Sequence, residues 1–272
     1  MATVADIAEI LESRFRPELA ESWDVNGLTV GDPSAPVRRV LFAVDPTLAV
    51  VDEAIEVGAD LVVTHHPLLL RGVTTVSAST PKGAVVHRLI SHGIALYNAH
   101  TNADAAAGGV CDALAAAVGI TDPVPLIPAE PGGAEGTGRI GLLPGPVTLG
   151  EFAKAVARAL PPTEHGVRVA GELDGLVSTV AVVGGAGDGF FDAVRGSGAD
   201  VYVTADLRHH PASEARELAE LGDGRPYLVD VSHYASEWLW LADAAEHVAD
   251  AAGVDATVST LSTDPWTARF TA

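Results

Sequence analysis

The sequence predicts an α/β protein of two similar halves, with mostly parallel, helix-covered sheets facing each other across a dinuclear metal site. Three observations lead there. Short β-branched runs alternate with helical stretches, which is how strands of a parallel sheet and their crossover helices read. Two segments recur at an offset of 140 residues: VLFAVD from Val40 matches VAVVGG from Val180, and GADLVVTHHP from Gly58 matches GADVYVTADLRHHP from Gly198 until an insertion after Thr204. Finally, three histidine-acid elements each follow an apolar strand: His65-His66, His100 with Asp104, and His233 with Glu237.

Taken in order, Val4, Ile7, Ile10, Leu11 and Phe15 give residues 2–16 one apolar helical face. The stretch ESWDVNGLTVGDP carries Asn-Gly and Gly-Asp-Pro punctuation and reads as a loop. A strand over Val37 to Val44, a helix over Thr47 to Val57 and a strand at Leu61 to Val63 follow. Next come a helix near Lys82 to Ser91, a strand at Ile94 to Tyr97 and one helix near Ala105 to Val118. Residues 121–138, TDPVPLIPAEPGGAEGTG, are dense in proline and glycine and read as a linker or surface loop. Strands are then expected at Arg139 to Leu143, Val177 to Val183, Val201 to Thr204 and Tyr227 to Val231. The first half is thus 1–120, with 232–272 packing back on it, and the second is 139–231.

Composition narrows the function. Apolar residues make up 48% of the chain and recur throughout, which argues against extended disorder. No apolar run reaches the roughly 18 residues of a membrane span, and the acidic start MATVADIAEILESRF lacks the positive end of a signal peptide, so a cytoplasmic protein is expected. The formal charge of -20 repels polyanions and disfavours an extended nucleic-acid surface. Cys111 is the single cysteine, so a metal site must use histidine and carboxylate.

The three histidine-acid elements supply such ligands. His65 and His66 sit just past the strand ending at Thr64, where α/β sheets present ligands, and adjacent side chains there point in different directions. Asp104 is four residues after His100, so both share a face if the segment begins a helix, whereas in a loop Asn102 and Asp104 would turn back on local backbone amides; His100 reads as a ligand or as a group that orients one. Ser232 is an expected N-cap that starts His233 and Glu237 on one face, with Glu237 the candidate bridging carboxylate. Taken singly, each element also reads as a solvated histidine pair, a local cap or an exposed ion pair; their common position after strands is what joins them. The donor set suits two divalent ions per chain from among Zn, Mn, Fe and Co.

These same stretches carry a family resemblance. WDVNGLTVGDP (Trp23 to Pro33), VTHHPLL (Val63 to Leu69), NAHTNAD (Asn98 to Asp104) and SHYASE (Ser232 to Glu237) resemble, in order, the signatures of the NIF-three-like dinuclear metal-centre hexamer family, also catalogued as GTP cyclohydrolase 1 type 2 homologues. The resemblance implies a toroidal homohexamer with metal ligands at His65, His66, Asp104, His233 and Glu237. It also points to VTADLRHHP (Val203 to Pro211), where Asp206 and His210 would line the site; a solvated polar loop is the alternative. Ser232 replaces the glycine common before the last motif, and residues 121–138 are too short for the domain that many relatives insert.

The function expected is a metal-dependent hydrolase of a small nucleotide-like or phosphorylated substrate, with His100 or His210 as general acid or base. The family label implies opening of the GTP purine ring at C8. The rival expectation is a non-catalytic metal-binding scaffold, chaperone or regulator. A nucleotide-binding module lacks support: there is no phosphate-binding P-loop, and Gly184-Gly185-Ala186-Gly187 fails the dinucleotide fingerprint.

Overall fold

The computed structural model describes residues 1–270. It is a mixed α/β fold with two sheets, divided into two compact units.

The first unit begins with α1 (Val4–Arg14), where Thr3 and Asp6 form a reciprocal capping box and Val4, Ile7 and Leu11 turn inward. The chain continues through β1 (Gly27–Val30), β2 (Arg39–Ala43), α2 (Leu48–Val57), β3 (Leu61–Thr64), α3 (Pro81–His92), β4 (Ala95–Asn98) and α4 (Thr101–Ala105). Strands β2, β3 and β4 are parallel neighbours, as their continuous apolar runs require when both faces are covered. One face packs Leu41, Val62 and Leu96 against Val50, Ala54, Val85 and Leu89 of α2 and α3. ESWDVNGLTVGDP differs from expectation, because its Gly27–Val30 portion is an edge strand antiparallel to β4. The expected helix 105–118 is interrupted as well. Gly108 takes φ +71, and the boundary between the units falls beside it, after Ala106.

The second unit comprises α5 (Val110–Ala117), β5 (Thr121–Pro128), β6 (Gly136–Thr148), α6 (Leu149–Ala159), β7 (Arg168–Ala170), β8 (Leu176–Ala186), α7 (Phe191–Ser197), β9 (Val201–Ala205), α8 (His209–Glu220), β10 (Tyr227–Val231) and α9 (His233–Glu237). Its sheet runs β5-β6-β8-β9-β10-β7, with β8, β9 and β10 parallel and the outer strands antiparallel. Finally α10 (Leu241–Ala252) and β11 (Asp255–Val258) belong to the first unit, where β11 extends the sheet beside β2.

Residues 121–138 are therefore a hairpin within the second unit and not a linker. Of their prolines, Pro123, Pro125 and Pro128 fall on β5, an edge strand, where a missing N–H is tolerated, and Pro131 lies in the turn. Their glycines allow close approach: a Cβ at Gly136 would lie 2.2 Å from the Ile127 carbonyl oxygen. Beneath the hairpin the buried Arg139 pairs with Asp112 and donates to the Gly136 and Gly138 carbonyls at 2.7 Å each. The expected boundaries shift accordingly. Residues 107–120 and 232–240 lie in the second unit, and of the C-terminal stretch 241–263 packs with the first.

One local arrangement occurs in each unit. Helices α2 and α7 end on left-handed glycines, Gly58 at φ +67 and Gly198 at φ +74, followed by Ala-Asp. Asp60 then accepts from the backbone N–H groups of Arg38 and Arg39 at 2.7 and 3.0 Å, and Asp200 from those of Ser178 and Thr179 at 2.8 and 2.9 Å.

Candidate metal centre

In the first unit, the carboxyl ends of β3 and β4 bring three imidazoles together. The ligand nitrogens of His65, His66 and His100 lie within 4.8 Å of one another. Each ring is held through Nδ1 by an oxygen. His65, fully buried, lies 3.0 Å from the Ala99 carbonyl, an acceptor only, so its Nδ1 carries a proton and the neutral ring has its lone pair on Nε2. That Nε2 faces Asp104 Oδ1 at 3.7 Å, too far for a hydrogen bond and close enough for both to reach one cation. His66 Nδ1 is 2.6 Å from Asp45 Oδ1, and Asp45 is itself held by the Thr263 hydroxyl. His100 Nδ1 is 2.8 Å from Asp24 Oδ1.

Asp24 organises the segment that carries His100. It also accepts from the Thr101 backbone N–H at 3.0 Å, from the Thr101 hydroxyl and from Asn26 Nδ2 at 2.9 Å, while Asn26 Oδ1 takes the His100 backbone N–H at 2.7 Å. Burial pushes the Asp24 carboxyl upward. The hydrogen bonds from His100, Thr101 and Asn26 outweigh that and hold it well below the usual carboxylate range. Next to it the Trp23 indole is 58% exposed, its ring edge-on to His100 with centroids 6.0 Å apart.

In the second unit, β10 leads into α9, a single turn capped by Ser232, whose hydroxyl accepts from the Ala235 N–H. Ser232 has φ -68, so glycine's freedom is not needed there. His233 Nδ1 meets Asp206 Oδ2 at 2.8 Å, and its Nε2 faces the buried Glu237 Oε1 at 3.0 Å. The His233 hydrogen bond draws the Asp206 carboxyl down, against the opposing effect of burial. Asp206 itself adopts φ +54, which aspartate tolerates better than most residues.

Gly185 lies against this histidine-carboxylate pair. A Cβ there would fall 2.3 Å from Glu237 Oε1 and 3.2 Å from His233 Nε2. Its N–H donates to Ser236 Oγ at 2.9 Å, and its carbonyl accepts from Thr204 Oγ1 at 3.0 Å. The glycine run 184–187 thus makes room for the histidine-carboxylate pair.

Within the first unit, then, the expected His65, His66, His100 and Asp104 converge, and within the second His233 and Glu237 converge with Asp206. His210 is exposed in the first turn of α8, its ring against His209 at 5.2 Å. Sequence reasoning missed Asp24, Asp45 and Gly185, although WDVNG, VLFAVD and VAVVGG contain them at a loop and at two strand ends. No helix among the described residues is long and apolar enough to cross a membrane.

Comparison with known proteins follows this geometry. Residues 2–265 match the family described as Duf34/NIF3 (NGG1p interacting factor 3). A protein of Streptomyces coelicolor called "GTP cyclohydrolase 1 type 2 homolog" is 50% identical, over 99% of this chain and 95% of its own. One of the same description from Mycobacterium tuberculosis is 37% identical over 97% and 96%. The crystal structure of a Bacillus cereus protein related to NIF3 superposes with a TM-score of 0.85 at 28% identity, covering 98% of this chain and 99% of that one.

Proposed function

Because the chain belongs to the Duf34/NIF3 family, we propose that its two half-sites act together as a dinuclear divalent-metal centre of a hydrolase, with His65, His66, Asp104, His233 and Glu237 as ligands. The observation that carries this reading is the orientation of His65. Its Nδ1 donates to a carbonyl, so in the neutral ring the lone pair on Nε2 faces the Asp104 carboxylate at 3.7 Å, an arrangement of two acceptors that a shared cation would stabilise. An imidazolium would by itself satisfy His233 between Asp206 and Glu237, but the His65 geometry is too long for that. Asp45 and Asp206 hold the other ligand rings in the manner of carboxylates behind metal-bound histidines.

Two cations there would act as Lewis acids and offset the -20 charge for an anionic substrate. The chain's own groups do the rest. Asp24 holds His100 through Nδ1 and orients the ring, leaving Nε2 to take or give a proton; His100 therefore fits the acid-base role better than the exposed His210. Trp23 offers a flat apolar surface beside His100, suited to a planar heterocycle. A small nucleotide-like or phosphorylated substrate fits these features, and the relatives' description names GTP cyclohydrolase. The paired Asp60 and Asp200 arrangements support descent of the units from one repeated half. A homohexamer with sheets facing across the centre, in the cytoplasm, completes the proposal.

A non-catalytic metal-binding scaffold or regulator is the second reading, favoured by a family description that names an interaction. Elemental analysis of the purified protein and of a His65→Ala, Glu237→Ala variant separates the cases, followed by a screen of metal-replete protein on nucleotides and phosphoesters. About two ions per chain, lost in the variant together with turnover, supports the hydrolase. Metal without turnover supports the scaffold, and wild-type protein that binds no metal overturns both.

A further inference from the structure

The second copy of the His-His-Pro motif, His209-His210-Pro211, has no place in the half-site of the second unit, and it leads to a different cavity. Between α8, β7 and β10 lies a hollow of about 400 Å³. One stripe of α8, His209, Ser213 and Arg216, forms one wall, spaced three and four residues apart. Arg168 on β7 and Asp230 on β10 stand opposite, over a floor that includes Leu228.

Charge distinguishes this hollow. Asp230 is 5% exposed and its carboxylate is fully engaged: it accepts from His165 Nε2 at 2.9 Å, from Arg168 Nε at 2.8 Å and from the Leu207 N–H at 3.0 Å. That leaves Arg168 oriented but offset by a single carboxylate. Arg216 differs from the arginines paired to Asp243, Asp255, Asp52, Asp112, Asp192, Asp188 and Asp200. Among the described residues it has no carboxylate partner. Its Nη1 donates to the Gly224 and Pro226 carbonyls at 2.8 and 2.7 Å, and its guanidinium lies over the Tyr227 ring at 5.6 Å. Arg216 also lines an adjoining hollow together with Glu172, Glu220 and Asp223, none of which forms an ion pair with it. A guanidinium held by two carbonyls, with no carboxylate in ion-pair contact, in a chain of charge -20 suits a negative group.

We propose that this cavity is a second ligand site, separate from the candidate metal centre. It takes a small organic anion, whose phosphate or carboxylate head meets Arg216, His209 and Ser213 and whose apolar body rests on Leu228 and its neighbours. The site lies within one unit and needs no metal, so it stands or falls independently of the hydrolase proposal.

The test is calorimetric titration of the chelator-treated full chain with phenyl phosphate and, separately, benzoate. One site per chain is expected in the wild type. Arg216→Gln should weaken binding about tenfold or more, the usual effect of losing a charge-assisted hydrogen bond, and Arg216→Lys should recover part of it. His209→Ala should weaken it less. Thermal unfolding of each variant identifies any that fail to fold, in which case His209→Ala and Ser213→Ala carry the test. Binding of either probe would identify the head group preferred. No binding of either probe by the wild type, or equal binding by folded Arg216→Gln, overturns the proposal.

Discussion

Replacing Gly185 with alanine tests whether the glycine run exists to admit the histidine-carboxylate pair. Two effects should follow, and they can be separated. The residue sits at φ +66, where a Cβ costs roughly 1–2 kcal/mol, equivalent to a fall in Tm of roughly 2–8 °C for a chain of this size. In addition, the new Cβ would stand 2.3 Å from Glu237 Oε1. That oxygen must retreat by about 1 Å to reach an ordinary carbon-oxygen contact of about 3.3 Å. Disturbing the support of a metal ligand costs roughly 10- to 100-fold in affinity. Gly198→Ala is the control, because its φ of +74 imposes the same backbone cost while its Cβ would meet nothing within 4 Å. Differential scanning calorimetry should show the backbone loss in both variants and a further loss in Gly185→Ala from the contact with Glu237. Metal titration should show weakened binding in Gly185→Ala alone. If Gly185→Ala binds metal as the wild type does, the glycine has no bearing on the site and the placement of Glu237 as a ligand is refuted with it.

Asp45→Asn keeps the shape behind His66 but removes its charge, and should weaken metal binding about tenfold or more with an unchanged circular dichroism spectrum; undiminished affinity would detach Asp45 from the centre. Asp24→Asn should destabilise the protein at neutral pH. Since the folded carboxyl of Asp24 is held below its ordinary value, its contribution is present above about pH 4 and fades as pH falls from there, so urea melts of wild type and variant should converge in acid; a gap that widens would contradict the sign. Arg139→Ala strips two carbonyls and Asp112 of a buried donor, and should cost roughly 3 kcal/mol or more in chemical denaturation. A loss below about 1 kcal/mol would mean that the hairpin does not depend on it.

The central strands were legible because burial on both faces leaves one signal, an uninterrupted β-branched run, as in Leu61–Thr64 and Tyr227–Val231. The candidate histidine ligands were legible for a related reason: His65, His66 and His233 come within two residues of the end of such a run. Edge strands were not. Gly27–Val30 and Thr121–Pro128 are half solvated and spend glycine and proline where a central strand cannot, so their composition reads as loop. The C-terminal strand Asp255–Val258 joins Arg39–Ala43 across more than two hundred residues, and nothing local announces such a pairing. Separation in sequence, 76 and 21 residues from the rings they hold, also hid Asp24 and Asp45. Each lies on a different segment from the ring it holds, and only folding shows which nitrogen it touches. Gly185 was visible but was weighed only as part of a nucleotide-binding fingerprint, when its role is to be absent where Glu237 needs space.

The prolines of the 121–128 strand have a consequence for how copies of this chain can meet. An open sheet edge is a template on which another chain can add a strand, a route to fibres as well as to ordered assemblies. Three of the eight residues at this edge, Pro123, Pro125 and Pro128, have no N–H to give, and the opposite edge of the sheet is only three residues long. Neither border can sustain a continuous ladder with a neighbour. The sheet of the second unit therefore stops growing at its own borders, and a neighbouring copy that meets this unit has to do so through its other surfaces.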